Sequence, residues 1–161
     1  MDLVDPYGQD GGRVDELPTG EAVGAGIDGL LAIQEPLRNN LHSVRDLVRW
    51  RDEVVRLEQR RGDGVCPLGE LAELLAHGDE AGRSAVRAGI AACESLLAGG
   101  LARIRESGEL AADADPERLA TGLMAALQGG LLLARTTRDV RRLEVALDTA
   151  LGYVRAHAVT L

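Results

Sequence analysis

The chain contains no phenylalanine, one tryptophan (Trp50) and two tyrosines (Tyr7, Tyr153) among 161 residues. A core without aromatics must be built from Leu, Ala and Val. Leu and Ala favour helix, and scarce aromatics count against a large sheet. Lysine is also missing: all eighteen basic residues are arginine, which is most simply codon usage in a GC-rich genome. Cys66 and Cys93 are the only cysteines. Two isolated thiols exclude a disulfide framework, and no metal-ligand spacing surrounds them. The longest apolar run, Gly122 to Ala134, is interrupted by Gln128 and is too short to span a bilayer. The acidic start, Met1-Asp2-Leu3-Val4-Asp5, does not read as a secretory signal. A soluble, cytoplasmic protein with reduced thiols and no membrane contact is expected.

Positive charge is in deficit as well, with a net charge of −8. A chain that grips duplex DNA by itself needs a basic face to displace counterions. Arg45, Arg49, Arg51, Arg56, Arg60 and Arg61 form one cluster; Arg135, Arg138, Arg141 and Arg142 form another. Asp46, Asp52, Glu53 and Glu58 interleave the first, and Asp139 and Glu144 accompany the second. Both clusters therefore read as solvated helix faces. Signatures of catalysis are absent too: no Gly-x-Ser-x-Gly, no phosphate-binding loop, no His-Glu-x-x-His. His42, His77 and His157 are far apart, so no metal site is expected. Glu53, Glu58 and Glu94 stand on amphipathic patterns where carboxylates are solvated or paired with Arg, and no acid/base pair stands out. The expectation is a non-enzyme without a cofactor.

Helical periodicity is abundant. Residues 1–20 hold Pro6, Gly8, Gly11, Gly12, Pro18 and Gly20 with five acids, which predicts a flexible acidic tail. Residues 21–161 read as one helical domain. Glu21 to about Leu41 has helical spacing weakened by Gly24, Gly26 and Gly29 and broken before Pro36. Ser43 to Arg61 is clearer: Ser43 as N-cap, Asp46 as its capping-box partner, and Gly62 as a stop. Val44, Leu47, Val48, Val54, Val55 and Glu58 share a side that Trp50 and Leu57 widen. Pro67 opens a short helix with Leu68, Leu71, Leu74 and Leu75, ending at His77-Gly78. Asp79 caps a long helix whose stripe is Val86, Ile90, Cys93, Leu97, Leu101 and Ile104. Asp115-Pro116-Glu117 starts the next helix, and Asp139 is placed to cap the last. The spacing predicts an all-α bundle of five to six helices with no strand.

From Gly122 to Ala134 the helix begun at Pro116 is apolar nearly all round. Such a helix must be covered on both sides. Its second cover is either tight packing within one chain or a second subunit, which Gly129-Gly130 would let approach closely.

Three segments carry a resemblance: Cys66-Pro67-Leu68-Gly69; Gly108-Glu109-Leu110 with Asp113-Ala114-Asp115-Pro116-Glu117; and Leu127-Gln128-Gly129-Gly130-Leu131-Leu132-Leu133. In this order and spacing, over roughly residues 43–157, the chain resembles the C-terminal ligand-binding and dimerisation domain of TetR/AcrR-type transcriptional regulators. The resemblance implies a homodimer through the last two helices, as an isologous four-helix interface. It places Leu127, Gly130, Leu131, Leu143, Leu147 and Leu151 in that interface. It also implies a small, hydrophobic effector held between helices, in a mostly apolar pocket with a few polar groups. Trp50, Val54, Cys66, Leu97, Met124 and Gln128 are the candidate ligand residues. Each has a plainer reading. Trp50, Val54, Leu97 and Met124 read equally as core. Cys66 is a candidate redox-sensing thiol or an inert buried one, and Cys93 reads as core. Gln128 must find a partner, whether ligand, dimer mate or a backbone carbonyl.

The family's N-terminal helix-turn-helix domain has no counterpart here, since residues 1–42 contain only Arg13 and Arg38 as basic side chains. Direct nucleic-acid binding by this chain is therefore not expected. A heterodimer with a full-length TetR-like regulator is an implied alternative mode of action. The rival reading is a stand-alone small-molecule-binding protein, or an enzyme recruited from this fold to a biosynthetic pathway.

Overall fold

Four helices account for most of residues 41–61 and 79–159, the residues described in the computed structural model. They are α1 (Val44–Arg61), α2 (Glu80–Glu106), α3 (Pro116–Thr137) and α4 (Arg141–Ala156). Four of the five firm helices expected from the spacing are thus present. The expected tail at 1–20, the weaker helix from Glu21 and the short helix from Pro67 lie outside the described residues. Among the described residues there is no strand, only an isolated antiparallel bridge between Leu110 and Ala158.

Cap chemistry explains where the helices begin. Ser43 Oγ accepts the Asp46 N–H at 3.2 Å, while Asp46 Oδ2 accepts from Ser43 Oγ at 2.8 Å and from the His42 N–H at 3.1 Å. This is a reciprocal capping box. Asp79 Oδ1 accepts the Gly82 N–H at 2.8 Å, and Asp115 Oδ1 accepts the Arg118 N–H at 3.1 Å. Asp139 Oδ1 accepts the Arg141 N–H at 3.1 Å. It stands one residue ahead of the formal cap because Val140 already has helical backbone angles. Helix α2 stops at Ser107, followed by Gly108 at φ +85°. Helix α3 ends at Arg138, φ 53°, in the left-handed region. Its N–H and that of Asp139 return to the Arg135 and Ala134 carbonyls, a closing turn that usually selects glycine.

Helix α3 is central, packed between α2 and α4, while α1 makes its closest backbone approach to α4. A continuous apolar core joins Leu47, Trp50 and Val54 of α1, Cys93, Leu97 and Leu101 of α2, Leu123, Leu127 and Leu131 of α3, and Leu143, Leu147 and Leu151 of α4. Fully burying each leucine contributes about 1.5–3 kcal/mol. Helix α2 is long and apolar enough, by length and composition, to cross a membrane. Here Val86, Cys93, Leu97, Leu101 and Ile104 face the core instead.

One end of the bundle is tied by Glu109 in the α2–α3 connection. Its Oε2 accepts the Val44 N–H at 3.0 Å, and its carbonyl accepts the Val159 N–H at 2.9 Å. Beside it, the Ala111 N–H donates to the His157 carbonyl at 2.8 Å. Arg103 Nε donates to the Leu41 carbonyl at 3.3 Å.

Candidate functional site

Helices α1 and α3 both start near the Glu109 end. At their other ends they are joined by one ion pair. Arg135 Nε and Nη2 donate to Glu58 Oε1 and Oε2 at 2.6 and 2.8 Å, with side chains only 12% and 10% exposed. This forked geometry is the strong form of the Arg–carboxylate bond. A second forked pair, Arg51 to Asp148 at 2.9 and 2.8 Å, fastens the middle of α1 to α4.

The Glu58–Arg135 pair sets the register between α1 and α3. Counting back about two turns from Arg135 reaches Gln128, on nearly the same bearing of α3. About two turns back from Glu58 lies Trp50, on a stripe that continues through Val54. By helix rise, each of the two lies roughly 10–12 Å along its own helix from the ion pair, toward the Glu109 end.

At that level the interior holds polar atoms that nothing satisfies. Trp50 is 3% exposed. Its Nε1, together with Nε2 and Oε1 of Gln128, is buried with no hydrogen-bond partner; no other side-chain atoms among the described residues share this state. Leaving such a group unpaired costs about 1–3 kcal/mol. Native interiors hold few of them, and each calls for an explanation. Val54, Leu97 and Met124 are buried members of the same core as Trp50. Apart from the Cys93 thiol, no ionisable side chain among the described residues is classed as buried. No three His, Cys, Asp or Glu side chains among them are grouped so as to hold a metal ion.

Five of the six candidate ligand residues are thus placed: Trp50, Val54, Leu97 and Met124 in the core, and Gln128 with its amide buried. Cys66 lies outside the described residues. Sequence reasoning missed Glu58 and Arg135 as a joint, because a partner 77 positions away leaves no local signal.

The six residues expected at a subunit interface need correcting as to their place. Leu127, Leu131, Leu143, Leu147 and Leu151 are each at most 2% exposed within the single chain. A Cβ on Gly130 would lie 2.9 Å from Leu143 Cδ1 and 3.1 Å from Ala146 Cβ. Gly130 therefore admits α4 of its own chain, and the five leucines belong to the core of the single chain. The outer faces of the same helices carry Leu132, Leu133, Val145 and Tyr153, all exposed. Gly122, Gly129 and Gly152 accompany them, where an added Cβ would meet nothing within 4 Å.

By fold, this is an all-helical domain with an apolar interior and two unpaired polar side chains. The family model described as the Tetracyclin repressor-like, C-terminal domain matches residues 35–150, more than half of the chain, and the chain belongs to that family. No curated protein and no solved structure matches it. Domains of this family are regulatory, and they generally dimerise and bind small-molecule effectors.

Proposed function

We propose that this chain is the effector-sensing and dimerising part of a TetR-like regulator, and that its effector is held between α1, α2 and α3 at the level of Trp50 and Gln128. The observation that carries this reading is the indole N–H and the side-chain amide, buried without partners in an aliphatic interior. A ligand that satisfies them recovers the energy that the empty arrangement forgoes. Val54, Leu97 and Met124 supply its apolar walls, and Cys66 is proposed as a further lining residue. Ligand binding would tighten α1 against α3 and shift an equilibrium between helix arrangements. Neither Trp50 nor Gln128 is ionisable, which favours sensing over turnover against the recruited-enzyme reading.

The proposed homodimer forms through the outer faces of α3 and α4. Small residues there (Gly122, Gly129, Gly152) allow close approach, and Leu132, Leu133, Val145 and Tyr153 supply apolar area. An exposed apolar patch of this kind marks an interaction surface. The same face allows a heterodimer with a full-length relative. Residues 1–40 hold eight acids and two arginines, so the chain is proposed to work in the cytoplasm without reading DNA itself.

Native mass spectrometry of the full chain, incubated with small-molecule extract of its own cells, tests the sensing role. A retained compound at one per protomer is expected, with a matching change in Trp50 fluorescence. Unliganded protein in every extract, with unchanged fluorescence, overturns it.

A further inference from the structure

The unpaired atoms also specify what kind of molecule satisfies them. Trp50 Nε1 is a donor and nothing else; the Gln128 amide offers both a donor and an acceptor. A complementary ligand therefore presents at least one acceptor, of the carbonyl type, and one hydroxyl or amide hydrogen. Charge is the second constraint. A buried ionic group needs a counter-charge, and burial without one is severely unfavourable. Arg135 and Glu58, on the facing helices, already neutralise each other through two short bonds. Arg51 points to Asp148 and Asp52. No ionisable side chain other than the Cys93 thiol is classed as buried among the described residues. The third constraint is shape. The buried core that holds Trp50 also holds Val54, Leu97, Met124, Leu127 and Leu131, with no phenylalanine anywhere in the chain. Branched and flexible aliphatic side chains adapt to an aliphatic body.

Resting on the sensing role proposed above, we infer that the effector is an uncharged, largely aliphatic molecule with a carbonyl acceptor and a hydroxyl or amide hydrogen. Its polar end meets Trp50 and Gln128, and its hydrocarbon runs along α2 and α3.

Three probes of one chain length separate the possibilities: octanamide, octanoate and octylammonium, titrated at neutral pH into the full chain. Trp50 fluorescence reports binding at the site, and calorimetry reports binding anywhere. Octanamide is expected to bind best, with the two ions weaker by about tenfold or more, since neither finds a counter-charge. Gln128→Leu, which leaves an apolar side chain of similar reach, is expected to abolish the preference for octanamide while the variant still unfolds cooperatively. Equal or tighter binding of either ion overturns the uncharged class and leaves the sensing role standing. Octanamide binding unchanged in Gln128→Leu overturns the assignment of the polar end. Failure of all three probes by both readouts overturns the proposal; failure of cell extracts to load the protein, by contrast, removes the sensing role itself.

Discussion

Asp46 does two things at the start of α1. Its backbone N–H is capped by Ser43, and its carboxylate accepts from the Ser43 hydroxyl and the His42 N–H. The Ser43 hydroxyl in particular holds this carboxyl below the usual carboxylate range, against the opposing effect of burial and with help from the His42 N–H and Arg49. A folded-state value below the unfolded one stabilises the protein above the ordinary carboxylate value of about 3.9 and stops doing so as pH falls through the depressed value. Asp46→Asn should therefore lose about 0.5–1 kcal/mol at neutral pH. The deficit relative to wild type should shrink in denaturant titrations carried out below about pH 4. Gln128 makes the opposite prediction. Replacing a buried, unpaired amide with Leu should raise the stability of the ligand-free chain by about 1 kcal/mol, seen as a melting point higher by about 3 °C. A lower melting point would mean that the amide is satisfied in solution. Such residue-level chemistry was partly legible. Ser43, Asp79 and Asp115 declared themselves as caps because a cap needs only a short polar side chain ahead of an apolar period. Gln128 also stood out, as the one polar break in an apolar run. Its orphan state did not, because that depends on what other helices fail to bring within reach.

Between elements, the Gly129-Gly130 pair separates two environments within one step of a helix. Gly130 faces Leu143 and Ala146 of α4, and Gly129 faces open space. Gly130→Val should destabilise the domain by about 1–3 kcal/mol through overpacking. Gly129→Ala should stabilise the protomer by up to about 1 kcal/mol through helix propensity. Thermal unfolding of the two variants side by side checks the contrast in sign. The Glu58–Arg135 pair gives a second test. Glu58→Ala removes both of these bonds from a nearly buried guanidinium and should cost about 3 kcal/mol. The double change Glu58→Gln with Arg135→Met should recover most of that loss, since neither remaining group then carries a charge. Denaturation midpoints of the single and double variants decide it. Helix positions were largely readable from spacing, but the orientation of α3 was not. A helix that is apolar nearly all round has no polar face to reveal which side is turned toward its own core. The pattern thus left both sides open, the resemblance placed Leu127, Gly130 and Leu131 at a subunit interface, and within the single chain they are buried. On α1, Trp50 looked like a flank of the stripe and is fully inside.

Across the whole molecule, the core and the proposed dimer face lie on opposite sides of the same two helices, so substitutions on them should fail differently. Val145 is 65% exposed, and Val145→Glu should yield a folded monomer with helical content unchanged. Leu147 is fully buried, and Leu147→Ala should cost about 2–5 kcal/mol in folding. Light scattering coupled to gel filtration, with circular dichroism on the same fractions, distinguishes the two. A Val145→Glu protein that remains dimeric would move the interface off this face. The all-helical class followed from composition and periodicity, and the family match extends over the helices so read.

The Glu109 junction has a practical corollary. Because one residue bonds both Val44 and Val159, the described bundle has its entrance and exit side by side. Points of entry and exit that meet in this way suit insertion into another protein. The bundle is therefore a natural cassette. Spliced into an exposed loop of a reporter enzyme, it would bridge the cut without prying the host apart. Any tightening of α1 on α3 would then reach the host through the two adjoining splice points, turning an effector concentration into a readable change in the reporter's output.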